Sequence, residues 1–144
     1  IKEIVVLLRK NAVAKNQTIE YNIPQDMIIY ADINLLTGIL RNLLSNAIKF
    51  TNVGGKININ AQKYNDSEIL VSVTDTGVGL AEKEIENLFK LDKKVSKAGT
   101  LGELSTGLGL ILCKEYITKL NGKIWVTSEL NKGTTFYFTV KSHN

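Results

Sequence analysis

The stretch Asn42-Leu-Leu-Ser-Asn-Ala-Ile-Lys-Phe-Thr51 decides how the rest of the chain reads. Asn42, Asn46 and Lys49 stand four and then three residues apart. On a helix of 3.6 residues per turn they fall in one narrow stripe. The core stripe of the same helix, through Leu36, Leu40, Leu43 and Ala47, lies roughly 120° away at ~100° per residue. Two neutral amides and a cation in line, on an otherwise apolar helix, suit a hydrated cation and a phosphate better than a core.

Working upstream, Asp32 is placed to cap this helix, which runs to about Phe50. Met27–Ala31 reads as a short apolar strand, and Thr18–Ile23 as an alternating strand ended by Pro24. Ile1 to about Lys15 has helical spacing through Ile4, Val5, Leu8 and Ala12. Working downstream, Asn52, Gly54 and Gly55 make a turn. Lys56–Tyr64 and Glu68–Thr74 alternate as two strands of a hairpin. Ala81–Phe89 reads as a short helix with Ile85, Leu88 and Phe89 inward. Asp92–Thr106 has no usable period and is expected to be a mobile loop, long enough to be functional or disordered. Leu108–Leu120 has helical spacing through Leu112, Tyr116 and Leu120, and Asn121-Gly122 ends it. Lys123–Glu129 and Thr134–Lys141 are strands of a second hairpin. This order predicts an α+β fold, with a mixed, mostly antiparallel sheet and helices gathered on one face.

The 144 residues suffice for one domain with a real core. A hydrophobic fraction of 44% against 22% charged is an ordinary globular balance. No apolar run approaches the ~18 residues of a membrane span, and no signal peptide opens the chain. The chain opens at Ile1 rather than Met, so residues 1–144 are expected to be one domain of a longer protein. The single cysteine, Cys113, excludes an internal disulfide, fits a reducing compartment and reads as a plain buried thiol. One His and one Cys cannot build a zinc site. A net charge of +4 suits an anionic ligand but is too weak to imply nucleic acid.

Asp75 stands where a strand stops and a Gly-x-Gly turn begins. A carboxylate only accepts hydrogen bonds, so it would select an amine over a carbonyl, hence adenine over guanine. Gly77 and Gly79 let the backbone pass close to a flat base. An Asp-Thr-Gly turn with purely local hydrogen bonds accounts for the same residues. Thr106-Gly107-Leu108-Gly109-Leu110 opens a helix, where free N–H groups and the dipole favour phosphate. A simple loop-to-helix junction reads the same way. This is not a P-loop, since no Gly-Lys-Ser/Thr follows, and not a dinucleotide fingerprint.

Together, the asparagine helix, DTGVGL at 75–80, TGLGL at 106–110 and GTTF at 133–136 are specific in this order. The chain closely resembles the ATP-binding catalytic domain of sensor histidine kinases, within the gyrase, Hsp90, histidine kinase and MutL superfamily. The likeness covers nearly the whole chain, with Phe89 matching the F box. It implies a two-layer α/β sandwich of the Bergerat type, with ATP between the helices and under a lid at about 90–106.

Carried over, Asn46 would bind Mg2+ through its side-chain oxygen, and Asn42 would lie beside the γ-phosphate. Lys49 would touch phosphate oxygens. Asp75 would hold the adenine amine with Gly79 and Thr134 nearby. The boxes also bring Phe50, Gly77, Leu80 and Phe89 to the nucleotide, and Thr106, Gly107, Leu108, Gly109 and Leu110 to its phosphates. Lys93, Lys94 and Lys97 are candidate lid contacts, though a solvated loop face is the leading reading for most of them. Members of the superfamily that hydrolyse ATP typically carry Glu where this chain has Asn42. An amide cannot act as general base to water, which argues for a kinase.

The chain departs from the family at Ser105, where a glycine is common, and at Leu91-Asp92-Lys93-Lys94, where an aromatic and an arginine often follow the F box. Lys90 or Lys93 could stand in for that arginine.

The resemblance therefore implies a protein-histidine kinase that passes the γ-phosphoryl group of Mg-ATP to a histidine. That histidine would lie on a separate dimerisation domain of the same protein, a homodimer, and a response-regulator receiver domain would follow. The expected place is the cytoplasm, or the cytoplasmic part of a membrane-anchored sensor, with no direct membrane contact by this domain. The alternatives are a serine/threonine kinase of the anti-sigma-factor type and a non-catalytic nucleotide-sensing module. His143, the one histidine, ends the chain without helical context and reads as a tail residue.

Overall fold

A computed structural model describes residues 1–90, 97–103 and 107–143. Its elements are α1 (Lys2–Ala14), β1 (Thr18–Asn22), α2 (Ile33–Phe50), β2 (Lys56–Lys63), β3 (Glu68–Asp75), α3 (Glu82–Asn87), α4 (Gly109–Lys119), β4 (Ile124–Glu129) and β5 (Gly133–Lys141). The expected loop and lid fall partly outside this set, at 91–96 and 104–106, and so do Lys93, Lys94, Ser105 and Thr106.

The strands form one sheet in the order β1-β2-β3-β5-β4. Among the described strands β1 and β2 run parallel and the other pairs are antiparallel. Alternation sets which face is covered. Ile57, Ile59 and Ala61, then Ile69, Val71 and Val73, then Phe136, Phe138 and Val140 are all buried on one face. Against them lie Ile39, Leu40, Leu43, Leu44, Ala47 and Ile48 of α2, with Val5 of α1. The predicted α+β sheet with its helices on one face is what the chain builds. The opposite face carries an aromatic group, with Trp125 stacked on Tyr137 at 5.5 Å between centroids and Tyr64 tilted at 6.1 Å.

The Asp32 carboxylate caps α2 as expected, accepting the N–H groups of Asn34 at 2.8 Å and Leu35 at 3.1 Å. At the other end, the carbonyls of the last three residues of α2 and of its cap Thr51 find distant donors. Ile48 O and Thr51 O take Gln17 Nε2, Lys49 O takes the Thr100 N–H, and Phe50 O takes the Val78 N–H. A helix leaves its last carbonyls unpaired, and burying them demands such partners.

Two expectations need correction. Met27–Ala31 is not a strand; only Ile29 pairs, in an isolated bridge with Ser142. β4 starts opposite Phe138, so only the tail of β5 beyond it is free for this segment, and Ile28 and Tyr30 stay exposed. In α4, Leu112 is exposed, and the buried positions are Cys113 and Ile117. Tyr116 and Leu120 are only half-buried, because the helix leans on α2 through the next stripe round.

Candidate functional site

A cleft of about 710 Å³, counting its open mouth, lies between α2 and the ends of β3 and β5. α2 contributes Asn46, Ala47 and Phe50. Asp75 comes from the last position of β3, and Thr134 and Phe136 from β5. The turn after β3 adds Val78, Gly79 and Leu80. Glu84 and Leu88 close one side, and Lys97, Gly107, Gly109 and Leu110 another.

The sheet register puts Asp75 between Ile57 and Thr134, so the carboxylate ends a central strand with neighbours on both sides. It is only 7% exposed. Its Oδ1 accepts the Gly77 N–H at 2.8 Å. Burial pushes the carboxyl up to about 6, against the pull of backbone N–H bonds from Gly77 and Thr134. An ionised carboxylate has about four lone-pair sites, so these two donors leave acceptor capacity for a ligand amine.

The turn beyond Asp75 is tied down on three sides. Val78 N–H donates to Phe50 O at 3.0 Å, and Asn131 N–H to Val78 O at 2.8 Å. Leu80 N–H donates to Ser128 Oγ at 2.8 Å. Gly79 has φ +70° and a side chain there would run into the Glu129 carbonyl, so both backbone and space demand glycine. Ser128 Oγ also lies 2.9 Å from Gly133 O and 2.8 Å from Thr134 Oγ1. A hydroxyl has one proton. With it given to Gly133 O, Thr134 must donate to Ser128 and keeps its own lone pairs as acceptors.

The predicted asparagine–lysine stripe does not stay on one wall. Asn46 lines the cleft. Asn42, one turn earlier, sits under the start of α4, where a Cβ on Gly109 would lie 3.2 Å from its Oδ1. It hydrogen-bonds Cys113, whose thiol burial pushes up to about 12. That thiol is inert, as expected. Lys49 lines a second hollow on the far flank of α2, with Lys15, Ser45 and Glu103. At 100° per residue it is 60° round from Asn46, enough to cross the helix crest.

Of the other predicted residues, Phe50, Gly79, Leu80, Gly107, Gly109, Leu110 and Thr134 line the cleft, and Gly77 holds Asp75. Phe89 stands edge-on to Phe136 at 6.5 Å, behind the wall. Leu108 is exposed at the cap of α4. Thr106 lies outside the described residues. α4 opens on the cleft, and Leu108 offers no side-chain acceptor to its first N–H groups, which suits an anion there.

The sequence did not point to Glu84 or Ser128. Glu84 accepts the Ala81 N–H and pairs with Lys97 at 3.5 Å across the cleft mouth. Its three-residue offset from Ala81 is a helix-start signal, which hid its second role. Ser128 is visible only through its register with Thr134.

Among the described residues no group of three or more His, Cys, Asp or Glu is placed to hold a metal. A magnesium ion that arrives on phosphates needs only one or two protein oxygens, and the Asn46 amide on the cleft wall meets that requirement. No helix among the described residues is long and apolar enough to cross a membrane.

The profile of the family described as histidine kinase-, DNA gyrase B- and HSP90-like ATPase matches residues 31–144. The adaptive-response sensory kinase SasA of Synechococcus elongatus is 33% identical over 97% of this chain and 36% of its own length. The sensor histidine kinase WalK of Bacillus subtilis is 34% identical over 94% of this chain and 23% of its own. The chain thus spans about a third or less of the curated relatives it matches. Among solved structures, the nucleotide-free catalytic domain of the histidine kinase ThkA superposes with a TM-score of 0.83 at 29% identity, covering 97% of this chain and 90% of that one. ThkA in complex with the response regulator TrrA gives 0.76 at 26% identity, over 99% and 39%.

Proposed function

This chain belongs to the histidine kinase-, DNA gyrase B- and HSP90-like ATPase family, and we propose that it binds Mg-ATP and passes the γ-phosphoryl group to a histidine carried on a separate dimerisation domain. The observation that carries this reading is the buried Asp75 carboxylate at the back of a cleft whose other end is the start of α4. One end selects an amine, the other an anion, and adenine nucleotides carry both.

In this reading Asp75 accepts the adenine amine and Thr134 Oγ1 lies beside it. Gly107, Gly109 and Leu110 receive the phosphates, with Thr106 and Leu108 flanking them. Asn46 Oδ1 supplies the protein oxygen for magnesium, whose charge offsets that of the phosphates. Asn42 stands beside the γ-phosphate as an amide that cannot deprotonate water, so ATP keeps until a protein nitrogen accepts. Lys49 reaches the phosphates by swinging its flexible stem from the second hollow. In transfer, the bond from the γ-phosphorus to the β–γ bridging oxygen breaks, a bond from phosphorus to the histidine nitrogen forms, and ADP leaves. A response-regulator receiver domain is the next acceptor, the full protein is a homodimer, and the domain works in the cytoplasm.

Calorimetric titration with Mg-ATP tests the binding step, with Asp75→Asn as control. Micromolar-to-millimolar binding is expected, lost in the variant; no binding by the parent, or equal binding by the variant, overturns the site. Adding a histidine-bearing dimerisation domain and radiolabelled ATP tests transfer, and acid-labile label on that domain is expected. Acid-stable label would favour a serine/threonine kinase, and no label a nucleotide sensor.

A further inference from the structure

Lys15 is buried, its side chain only 5% exposed, and no part of the nucleotide reading uses it. Its ammonium meets four acceptors: Ile48 O at 2.9 Å, Lys49 O at 3.1 Å, Thr100 Oγ1 at 2.7 Å and Glu103 Oε2 at 2.9 Å. The first two are carbonyls at the end of α2, the negative end of the helix dipole. The last two belong to the segment 97–103.

That segment is fixed at the same place by independent bonds. Thr100 N–H donates to Lys49 O at 2.8 Å, and the Thr100 hydroxyl to Thr51 O at 3.1 Å. Glu103 Oε1 accepts the Leu101 N–H at 2.8 Å. A Cβ on Gly99 would fall 2.8 Å from Lys49 O, so glycine permits the approach. On either side of this anchor the chain borders the cleft. Lys97 lines it three residues before Thr100, and Gly107 four residues after Glu103. Four residues of chain reach at most ~14 Å.

We propose that Lys15 is a positioning residue of the nucleotide site: its ammonium staples the 97–103 segment and the end of α2 to the end of α1, and so sets how tightly the phosphate end of the nucleotide is held. This rests on the nucleotide reading above. A displacement of the end of α1 would reach the phosphates directly through Thr100 and Glu103, whereas Asp75 is held by the Gly77 and Thr134 N–H groups and its turn meets the end of α2 only through the Val78 N–H on Phe50 O, so the adenine end would feel it far less.

Lys15→Met is expected to fold, because each α2 carbonyl it contacts keeps another donor. Ile48 O retains Gln17 Nε2 at 3.0 Å, and Lys49 O retains the Thr100 N–H. Titrations followed by NMR with Mg-ATP and with adenosine separate the two ends of the site. The variant should bind Mg-ATP about tenfold more weakly, with adenosine changed by less than about twofold. Glu103→Gln should shift Mg-ATP in the same direction by less, since three acceptors of Lys15 remain. Unchanged Mg-ATP affinity, or equal losses for both ligands, overturns the proposal. Failure of the unsubstituted chain to bind either ligand overturns the functional reading instead. The staple keeps its own readout in that case: hydrogen exchange at the Thr100 amide should speed up in Lys15→Met without nucleotide, and unchanged exchange refutes it.

Discussion

Asp75 meets two opposed demands. In the proposed nucleotide site, selecting an amine needs it ionised, and burial penalises that form, so its carboxyl rises from 3.8 to about 6. The native state then binds the extra proton more tightly than the unfolded chain does. Stability from this group is fully present below the unfolded value near pH 3.8 and is lost as pH rises through about 6. Asp75→Asn removes the buried charge while its amide oxygen can still accept the Gly77 N–H. Urea unfolding at pH 8 should show the variant more stable, on the order of 2–3 kcal/mol at most, with the gain shrinking by pH 4.5. A variant less stable at pH 8 would contradict the burial argument. The same titration bears on selectivity. Below about pH 6 the carboxyl gains one O–H donor, which can serve the guanine oxygen. The ratio of ATP to GTP affinity should therefore fall between pH 8 and pH 5, and phosphate titration largely cancels in the ratio. A ratio that stays flat would remove Asp75 as the base selector.

At the scale of elements, the site is where three chain ends meet: the end of α2, the end of β3 and the β4–β5 turn. Ser128 joins the last two, through Leu80 N–H and Thr134. Ser128→Ala leaves the Leu80 N–H and the Thr134 hydroxyl without that partner, costing about 1–2 kcal/mol of stability. Adenosine and Mg-ATP should weaken in equal proportion, since the damage is at the proposed base end; loss confined to Mg-ATP would place Ser128 elsewhere in the mechanism. The elements themselves were legible. Period-2 alternation marked β2, β3 and β5, and Asp32 marked the start of α2. What was not legible is pairing across long separations. Lys15 finds Glu103 at a distance of 88 residues, and Gln17 finds Ile48 at 31. Neither partner leaves a local period. The same limit explains Lys49. A helix stripe fixes an angle, but the crest between two hollows is set by what packs on each side.

For the whole molecule, β5 is the ruler. Thr134 at its start lines the cleft, and His143 lies nine positions further along the same direction. At ~3.3 Å per residue that is roughly 30 Å. His143 is also held there, its N–H on Ile28 O at 3.0 Å and its ring 6.5 Å from Tyr30. In-line phosphoryl transfer needs the accepting nitrogen within about 3–3.5 Å of phosphorus. His143 thus lies far beyond side-chain reach of the cleft end of β5, and bringing it there would mean stripping the end of β5 from the sheet. The motifs already set this histidine aside for its context, and the fold adds distance as the reason. Incubated alone with radiolabelled Mg-ATP, the chain should therefore take up no label above background, and His143→Ala should change nothing. Acid-labile label on the isolated chain, abolished by His143→Ala, would mean that one molecule phosphorylates the tail of another. The acceptor would then be built into this domain, and the division of labour between a nucleotide-holding unit and a histidine-bearing one would fail.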